Sequence, residues 1–101
     1  MANILKKYLI GERLKFIEYS NDNWGIIFSN KNAFTVYTRI KADLYTDSGE
    51  DIVTNVTFTK TETEIMLGKK SRITIYSDDN LLVGPEFFVF IASDGTFIVE
   101  N

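Results

Sequence analysis

Apolar residues recur at every second position in several short stretches of the chain, which is the pattern of half-buried β-strands. The predicted strands cover residues 12–20, 24–29, 33–40, 52–59, 70–77, 86–92 and 96–100. Most of them neighbour one another in sequence and are separated by turn-forming residues, so hairpins are the expected connections. The pattern predicts a mainly β protein, an antiparallel sandwich or half barrel of about seven strands with residues 52–59 as a central strand. A mixed α+β topology is the alternative.

Two parts of the chain echo each other. The first contains Leu9-Ile10-Gly11 and Tyr19-Ser20-Asn21-Asp22-Asn23, and the second Met66-Leu67-Gly68 and Tyr76-Ser77-Asp78-Asp79-Asn80. Further along, the apolar positions Trp24, Ile26, Phe28, Phe34 and Val36 correspond to Phe87, Val89, Ile91, Phe97 and Val99. The echo predicts one domain, residues 1–101, with a pseudo-repeat of residues 4–40 and 61–101 joined by an acidic loop and strand over 41–60.

Each half of the repeat is expected to be a βββ unit introduced by a short helical turn. The first turn covers residues 4–10, with Asn3 as its cap and Gly11 at its end. The second covers residues 63–67 and ends at Gly68. Because matched turn residues and apolar positions specify matched geometry, the two units are predicted to superpose. Several of the aromatic residues are expected in the core, with the candidates being Trp24, Phe28, Phe34, Phe88 and Phe97.

The composition argues against several kinds of chemistry. The 101 residues include neither His nor Cys, so the usual general base near neutral pH, thiol nucleophiles and the commonest zinc ligands are missing. We therefore expect neither an enzyme nor a bound metal or cofactor. The net charge of −3 disfavours binding to a phosphate backbone and favours a basic partner. The apolar run after Lys6 and Lys7 is too short for a signal peptide or a membrane span, so a cytoplasmic location is expected.

Residues 42–51, called the acidic segment below, contain four carboxylates and no basic residue. One interpretation is a solvated loop that keeps the protein soluble. The other is a docking surface for a positively charged partner, in which Tyr45 adds an amphipathic contact. The sequence Asp47-Ser48-Gly49-Glu50-Asp51 lacks the alternating acidic positions and the distal Glu of a calcium loop, so it predicts no metal site.

The chain also resembles a known family. The features that carry the resemblance are Leu-x-Gly in the first turn, Trp-x-Ile-x-Phe-x-Asn from Trp24, Leu-Gly-Lys-Lys from Leu67 and Ser-Asp-Gly-Thr-Phe-x-Val from Ser93. Together they resemble small β-rich immunity proteins of bacterial polymorphic toxin systems, including those of contact-dependent growth inhibition. The resemblance implies a protein that binds one cognate toxin domain and covers its active site. Toxins of this kind are frequently nucleases, so the resemblance also implies a nuclease as the partner, with a ribonuclease as the first expectation.

An acidic inhibitor suits such a toxin because a nuclease active site must hold phosphate and is therefore basic. The residues expected to contact the toxin are Asp43, Tyr45, Asp47, Glu50, Asp51, Asp78 and Asp79. Two other functions remain open. A curved sheet lined by phenylalanines is expected of a small-ligand carrier, and two cooperating carboxylates are expected of a hydrolase that works without His.

Overall fold

The computed structural model describes residues 2–77 and 87–100, which form one α-helix, one 3₁₀ turn and nine strands. The helix α1 spans Ala2–Leu9, and the 3₁₀ turn spans Ser29–Lys31. The strands are β1 (Leu14–Ser20), β2 (Asn23–Phe28), β3 (Ala33–Val36), β4 (Ile40–Asp43), β5 (Val53–Phe58), β6 (Glu62–Leu67), β7 (Ser71–Tyr76), β8 (Phe88–Ile91) and β9 (Phe97–Glu100). The protein is therefore mainly β, as the alternating pattern predicts.

The strands form two antiparallel sheets. The five-stranded sheet has the order β1-β2-β3-β8-β9, and the four-stranded sheet has the order β4-β7-β6-β5. Within the described residues neither sheet closes into a barrel. Two expectations need correction, because the described strands outnumber the seven expected and β5 lies at an edge instead of the centre. Of the two extra strands, one arises where residues 33–40 bend into β3 and β4, which then join different sheets. The other is β6, which lies where a helical turn was expected.

The amino-terminal helix lies close to its predicted position, and two leucines anchor it to the core. Leu5 and Leu9 lie four positions apart on one helix face, and both are fully buried in the core. Gly11 follows with φ +89°, the left-handed conformation that favours glycine after a helix. The helix begins at Ala2, so Asn3 lies inside its first turn and is not the predicted cap.

The turn between β1 and β2 shows how local chemistry sets the hairpin register. Asn21 and Asp22 have φ values of +53° and +65°, which is the pattern of a two-residue type I′ turn. Asn and Asp tolerate this left-handed conformation better than other non-glycine residues. The turn brings Ser20 opposite Asn23 and Tyr19 opposite Trp24, as a hairpin requires.

The second predicted helical turn is wrong, because residues 63–67 belong to strand β6. Thr63, Ile65 and Leu67 are buried, while the residues between them are only half-buried. This period of two is that of a strand with one face toward the core. Gly68 does have a positive φ of +57°, but it lies in the turn between β6 and β7.

The two halves of the echo are not equivalent units, so the predicted superposition is also wrong. Strands β1, β2 and β3 are consecutive neighbours in one sheet, whereas β7 lies in a different sheet from β8 and β9. The apolar positions are out of phase as well: Phe34 is buried, but its counterpart Phe97 is 61% exposed. Phe28 is buried as well, but its counterpart Ile91 is exposed, and Phe88 and Phe90 are the residues of β8 that face the core. A shift of one residue along a strand moves a side chain to the opposite face, which explains the difference.

A single cluster of buried apolar side chains combines both sheets and the helix. Phe34 lies among other aromatic rings, with ring centroids 6.2 Å from Phe28, 5.3 Å from Phe88 and 4.8 Å from Phe90. These separations are typical of favourable aromatic pairs. Of the five predicted core aromatics, Phe28, Phe34 and Phe88 are buried, Trp24 is half-buried against Tyr19, and Phe97 is exposed.

Asn32 connects the helix to two loops. Its side chain is 3% exposed; the Nδ2 group donates to the Tyr8 carbonyl over 2.9 Å, and Oδ1 accepts from the Ser93 N–H over 2.9 Å. Nearby, the Tyr8 hydroxyl donates to Asp94 over 3.0 Å. The backbone N–H of Thr96, with help from the Thr96 and Tyr8 hydroxyls, lowers the pKa of the Asp94 carboxyl. The β8–β9 turn is thereby fixed against the helix.

We predict that Phe34→Ala lowers the free energy of unfolding by about 3 to 5 kcal/mol, because it leaves a cavity among three aromatic rings. Urea denaturation followed by circular dichroism measures the loss. Phe97→Ala is the matched control and should cost less than about 1 kcal/mol, because this ring is already exposed. Equal losses for the two variants would contradict the placement of Phe34 in the core.

Candidate functional site

The acidic segment begins in β4 and ends just before β5, at one end of the four-stranded sheet. Its start is fixed because Asp43 lies opposite Arg72 and the Tyr45 N–H donates to the Ser71 hydroxyl over 3.0 Å. Its end forms a tight turn in which the Glu50 N–H donates to the Asp47 carbonyl over 3.1 Å. The segment is therefore an ordered part of the fold.

Glu50 is a structural anion, and the expectation that it lies exposed for a partner is wrong. The residue is 5% exposed, and its carboxylate accepts hydrogen bonds from the N–H groups of Lys69, Lys70 and Ser71 over 2.6, 2.8 and 2.9 Å. The Ser71 hydroxyl donates a fourth bond over 3.1 Å. Successive backbone N–H groups form such an anion-binding concavity at a turn. These bonds, the one from the Lys69 N–H above all, lower the pKa of the Glu50 carboxyl against the opposing effect of desolvation.

Gly68 is required for this arrangement. A Cβ atom at position 68 would lie 2.2 Å from Oε2 and 2.7 Å from Cα of Glu50, and the backbone contact leaves no room for adjustment. The positive φ of Gly68 disfavours other residues independently. The glycine therefore brings the β6–β7 turn close enough for its N–H groups to reach the carboxylate.

The other predicted carboxylates with described positions are exposed and form ion pairs within the chain. Asp47 lies 2.6 Å from Lys70 Nζ, Asp51 accepts twice from Arg13 Nη1 over 3.0 Å, and Asp43 lies 3.9 Å from Lys41 Nζ. The three Asp side chains are 62%, 45% and 48% exposed, respectively. Solvent screens such surface pairs, and each contributes about 0 to 1 kcal/mol. Asp78 and Asp79 lie outside the described residues.

Leu44 and Tyr45 lie between Asp43 and Asp47 in the chain. Their side chains are 46% and 51% exposed, and the Lys70 ammonium lies 5.2 Å from the centre of the Tyr45 ring. An open groove of about 440 Å³ adjoins Asp47 and Lys70. It is lined by Asp47, Ser48, Gly49, Glu50, Ile52, Thr54, Gly68, Lys69 and Lys70. The structure thus brings Tyr45 and Asp47 together at the Lys70 side chain, while Asp43 lies near Lys41 and Asp51 faces Arg13.

Sequence reasoning missed the roles of Lys70, Ser71 and Arg13. The run Leu-Gly-Lys-Lys from Leu67 contributes to the family resemblance, and nothing in it indicates that its backbone N–H groups hold Glu50. No local signal joins Glu50 to this turn, because the two are 19 to 21 positions apart. The adjacent pair Glu50-Asp51 gives no hint that one side chain is buried and the other exposed.

Two other kinds of feature, a metal site and a membrane-spanning helix, are absent from the described residues. Among residues 2–77 and 87–100, no group of three or more acidic side chains is arranged to hold a metal ion. No helix in this part of the chain is long and apolar enough to cross a membrane. The chain matches no protein-family model, no curated protein and no solved structure.

We predict that Glu50→Gln destabilises the protein at neutral pH. The folded-state pKa of Glu50 is lowered, so the carboxylate stabilises the fold above the ordinary Glu pKa of about 4.3, and this contribution is lost as the pH falls through the folded-state value. We expect Tm to fall by about 5 to 15 °C at pH 7 and the difference from the parent to shrink near pH 3.

Asp47→Asn is the control for this experiment, because it removes an exposed charge one turn away and should shift Tm by less than about 3 °C. Scanning calorimetry at both pH values makes the measurement. A Glu50→Gln difference that is the same at pH 7 and pH 3 would show that the charge of the carboxylate does not stabilise the turn.

Proposed function

We propose that the protein is an inhibitory binding protein that covers the active site of a cognate basic toxin domain. The observation that carries the proposal is the pair of exposed side chains Leu44 and Tyr45, flanked along the chain by the exposed carboxylates of Asp43 and Asp47. The toxin is a nuclease, with a ribonuclease as the first candidate. The resemblance to small immunity proteins supports the same function.

The arrangement has the composition of a protein-binding surface. Interfaces combine apolar or aromatic anchors that become fully desolvated with a polar rim that stays near solvent. Tyr45 is a suitable anchor because it offers a large rigid ring and a hydroxyl, and Leu44 extends the apolar area. Hydrogen bonds at both ends of the segment hold these residues in place, so little conformational entropy is lost on binding.

The carboxylates are available to a partner although each already has a cation nearby. The Asp43–Lys41 and Asp47–Lys70 pairs are exposed to solvent, so exchanging either cation for an Arg of the partner costs little. A bidentate Arg contact is stronger than a Lys contact, which favours the exchange. Glu50 takes no part in this recognition, and its role is to keep the segment in position.

A basic nuclease is the partner that this charge pattern fits best. Its active site must attract phosphate, so it presents cations that Asp43 and Asp47 neutralise. Charges at the rim of an interface act mainly on the association rate and on discrimination against other partners. The net charge of −3 adds a long-range attraction toward the same surface.

The small-ligand carrier remains the second candidate. Its support is the groove of about 440 Å³, which has the size of a small-molecule site. The groove is not lined by phenylalanines, however, and the buried rings of Phe28, Phe34, Phe88 and Phe90 pack on one another. A screen by thermal shift separates the candidates, because a carrier is stabilised by a small molecule and an inhibitor by its toxin.

The test begins with the reading frame directly upstream, whose carboxyl-terminal domain is expressed alone and together with this protein. We expect the domain alone to stop growth and degrade RNA, and co-expression to restore growth. Tyr45→Ala should weaken binding of the purified domain by about 30-fold or more, as loss of an interface anchor does. Asp47→Lys should lower the association rate and reduce its dependence on salt.

Two control variants share the chemistry of these substitutions but lie elsewhere. Tyr19→Ala removes a 57% exposed ring on β1, and Glu62→Lys reverses a charge on β6. Both should bind and protect like the parent. If Tyr45→Ala and Asp47→Lys also bind like the parent, the acidic segment is only a solubilising connection. If the upstream domain is harmless and does not bind, the inhibitory function is wrong.

A further inference from the structure

The outward face of the five-stranded sheet carries an unbroken apolar row. Cross-strand pairs connect Phe16 to Ile27, Ile27 to Ala33, Ala33 to Ile91, and Ile91 to Phe97. These five residues are called the outer row below. Their neighbours along each strand point to the opposite face, where Ile26, Phe34 and Phe90 lie in the core. The outer row therefore crosses all five strands on the side away from the core.

The outer row is open to solvent and extends into a second row. Phe16, Ile91 and Phe97 are 49%, 44% and 61% exposed. The second row runs from Glu18 through Gly25, Thr35 and Val89 to Val99, with Glu18 as its one charged residue. Within it Val99 is 39% exposed, whereas Val89 is only 7% exposed. Together the two rows, whose polar members are Glu18 and Thr35, expose on the order of 600 Å², and the apolar part lies within the range of the largest apolar patch of a typical monomer.

The four-stranded sheet shows what a solvated face of the same protein looks like. Its outward positions include Lys41 and Asp43, which form an ion pair along β4, and Glu64 and Arg72, which form one between β6 and β7. An antiparallel sheet with one face in water normally has such polar positions. Because the same chain supplies charges on one sheet and omits them from the outer row, the outer row is suited to burial.

We propose that the outer row is the interface of a homodimer, in which the five-stranded sheets of two copies pack face to face. An isologous interface places the same surface on both sides, so any charge at its centre would be buried near its own copy. The outer row contains no charged residue and meets this condition. Beside it, the Glu18 side chain extends from the edge strand β1 over Gly25 on β2, so the interface must leave this carboxylate at its rim. A basic toxin would instead bury its cations against apolar side chains, which makes it a poor occupant of this face.

The order of residues along the outer row fits two-fold symmetry. A large aromatic ring stands at each end, Phe16 on β1 and Phe97 on β9, and the small Ala33 stands on the middle strand. An axis parallel to β3 within the interface places Ala33 against its own copy and Phe16 against Phe97 of the second copy, twice. Aligned sheets pack about 10 Å apart in this way in β-sandwiches.

The area sets the expected affinity. Burial of on the order of 600 Å² from each copy gives about 1,200 Å² in total, the lower end for a specific interface. We therefore expect a concentration-dependent dimer with a Kd of about 1 to 100 μM. The dimer interface contains no residue of the acidic segment. The dimer can therefore be tested independently of the proposed toxin binding.

Sedimentation equilibrium of the purified chain from about 1 to about 500 μM tests the proposal. We expect the mass to rise from the 11.6 kDa of the monomer toward twice that value. Ile91→Glu and, separately, Phe97→Lys should raise the Kd at least about tenfold, because each buries a charge in the interface. Thr57→Lys, on the exposed outward face of the other sheet, is the control and should dimerise like the parent.

Two results would overturn the proposal. One is a mass of 11.6 kDa throughout the concentration range for the unmodified chain. The other is a dimer that neither Ile91→Glu nor Phe97→Lys weakens, which would point to pairing through the free edges of β1 and β9. Circular dichroism and Tm must match the parent for a variant to count, and Phe97→Lys alone decides if Ile91→Glu does not fold.

Discussion

The hydrogen bonds that the Glu50 carboxylate accepts from the β6–β7 turn are the constraint on which this fold most depends. They join the connection between β4 and β5 to a hairpin that follows much later in the sequence. Directly after Glu50, the Asp51 carbonyl accepts from the Leu14 N–H, and Val53 exchanges hydrogen bonds with Gly11 and Glu12. One buried carboxylate thus positions the segment through which the start of β1 is attached to the four-stranded sheet. The acidic segment is rigid for the same reason.

The two outward sheet faces have different physical characters, and this difference organises the surface. The four-stranded sheet presents paired charges, and the segment that follows β4 presents Leu44 and Tyr45 among carboxylates. The five-stranded sheet presents an apolar row with aromatic rings at its ends. Charge complementarity is the basis of the proposed toxin binding at the first surface, and the hydrophobic effect is the basis of the proposed dimer at the second. A small domain with one shared core can thus separate two kinds of contact onto two sheets.

Local chemistry made much of the architecture predictable. Alternation of apolar residues located most of the strands, Leu5 and Leu9 anchored the predicted helix, and Asn21-Asp22 formed the expected hairpin turn. The echo gave wrong predictions because similar residues in two segments do not determine which side chains of a strand face the core. Thr63, Ile65 and Leu67 alternate as a strand, although their counterparts include helical residues. The counterparts of Phe34 and Val36 in β9, Phe97 and Val99, point away from the core.

The sequence by itself determined the mainly β class, the turn chemistry and the carboxylate-rich character of residues 42–51, because these depend on neighbours along the chain. Only the tertiary structure decided that Glu50 is buried while Asp47 and Asp51 are exposed, since the N–H groups that bind Glu50 come from a distant turn. The outer row was likewise hidden, because each strand contributes one residue to it. Cross-strand register, which joins those single residues into one surface, is a property of the folded sheets.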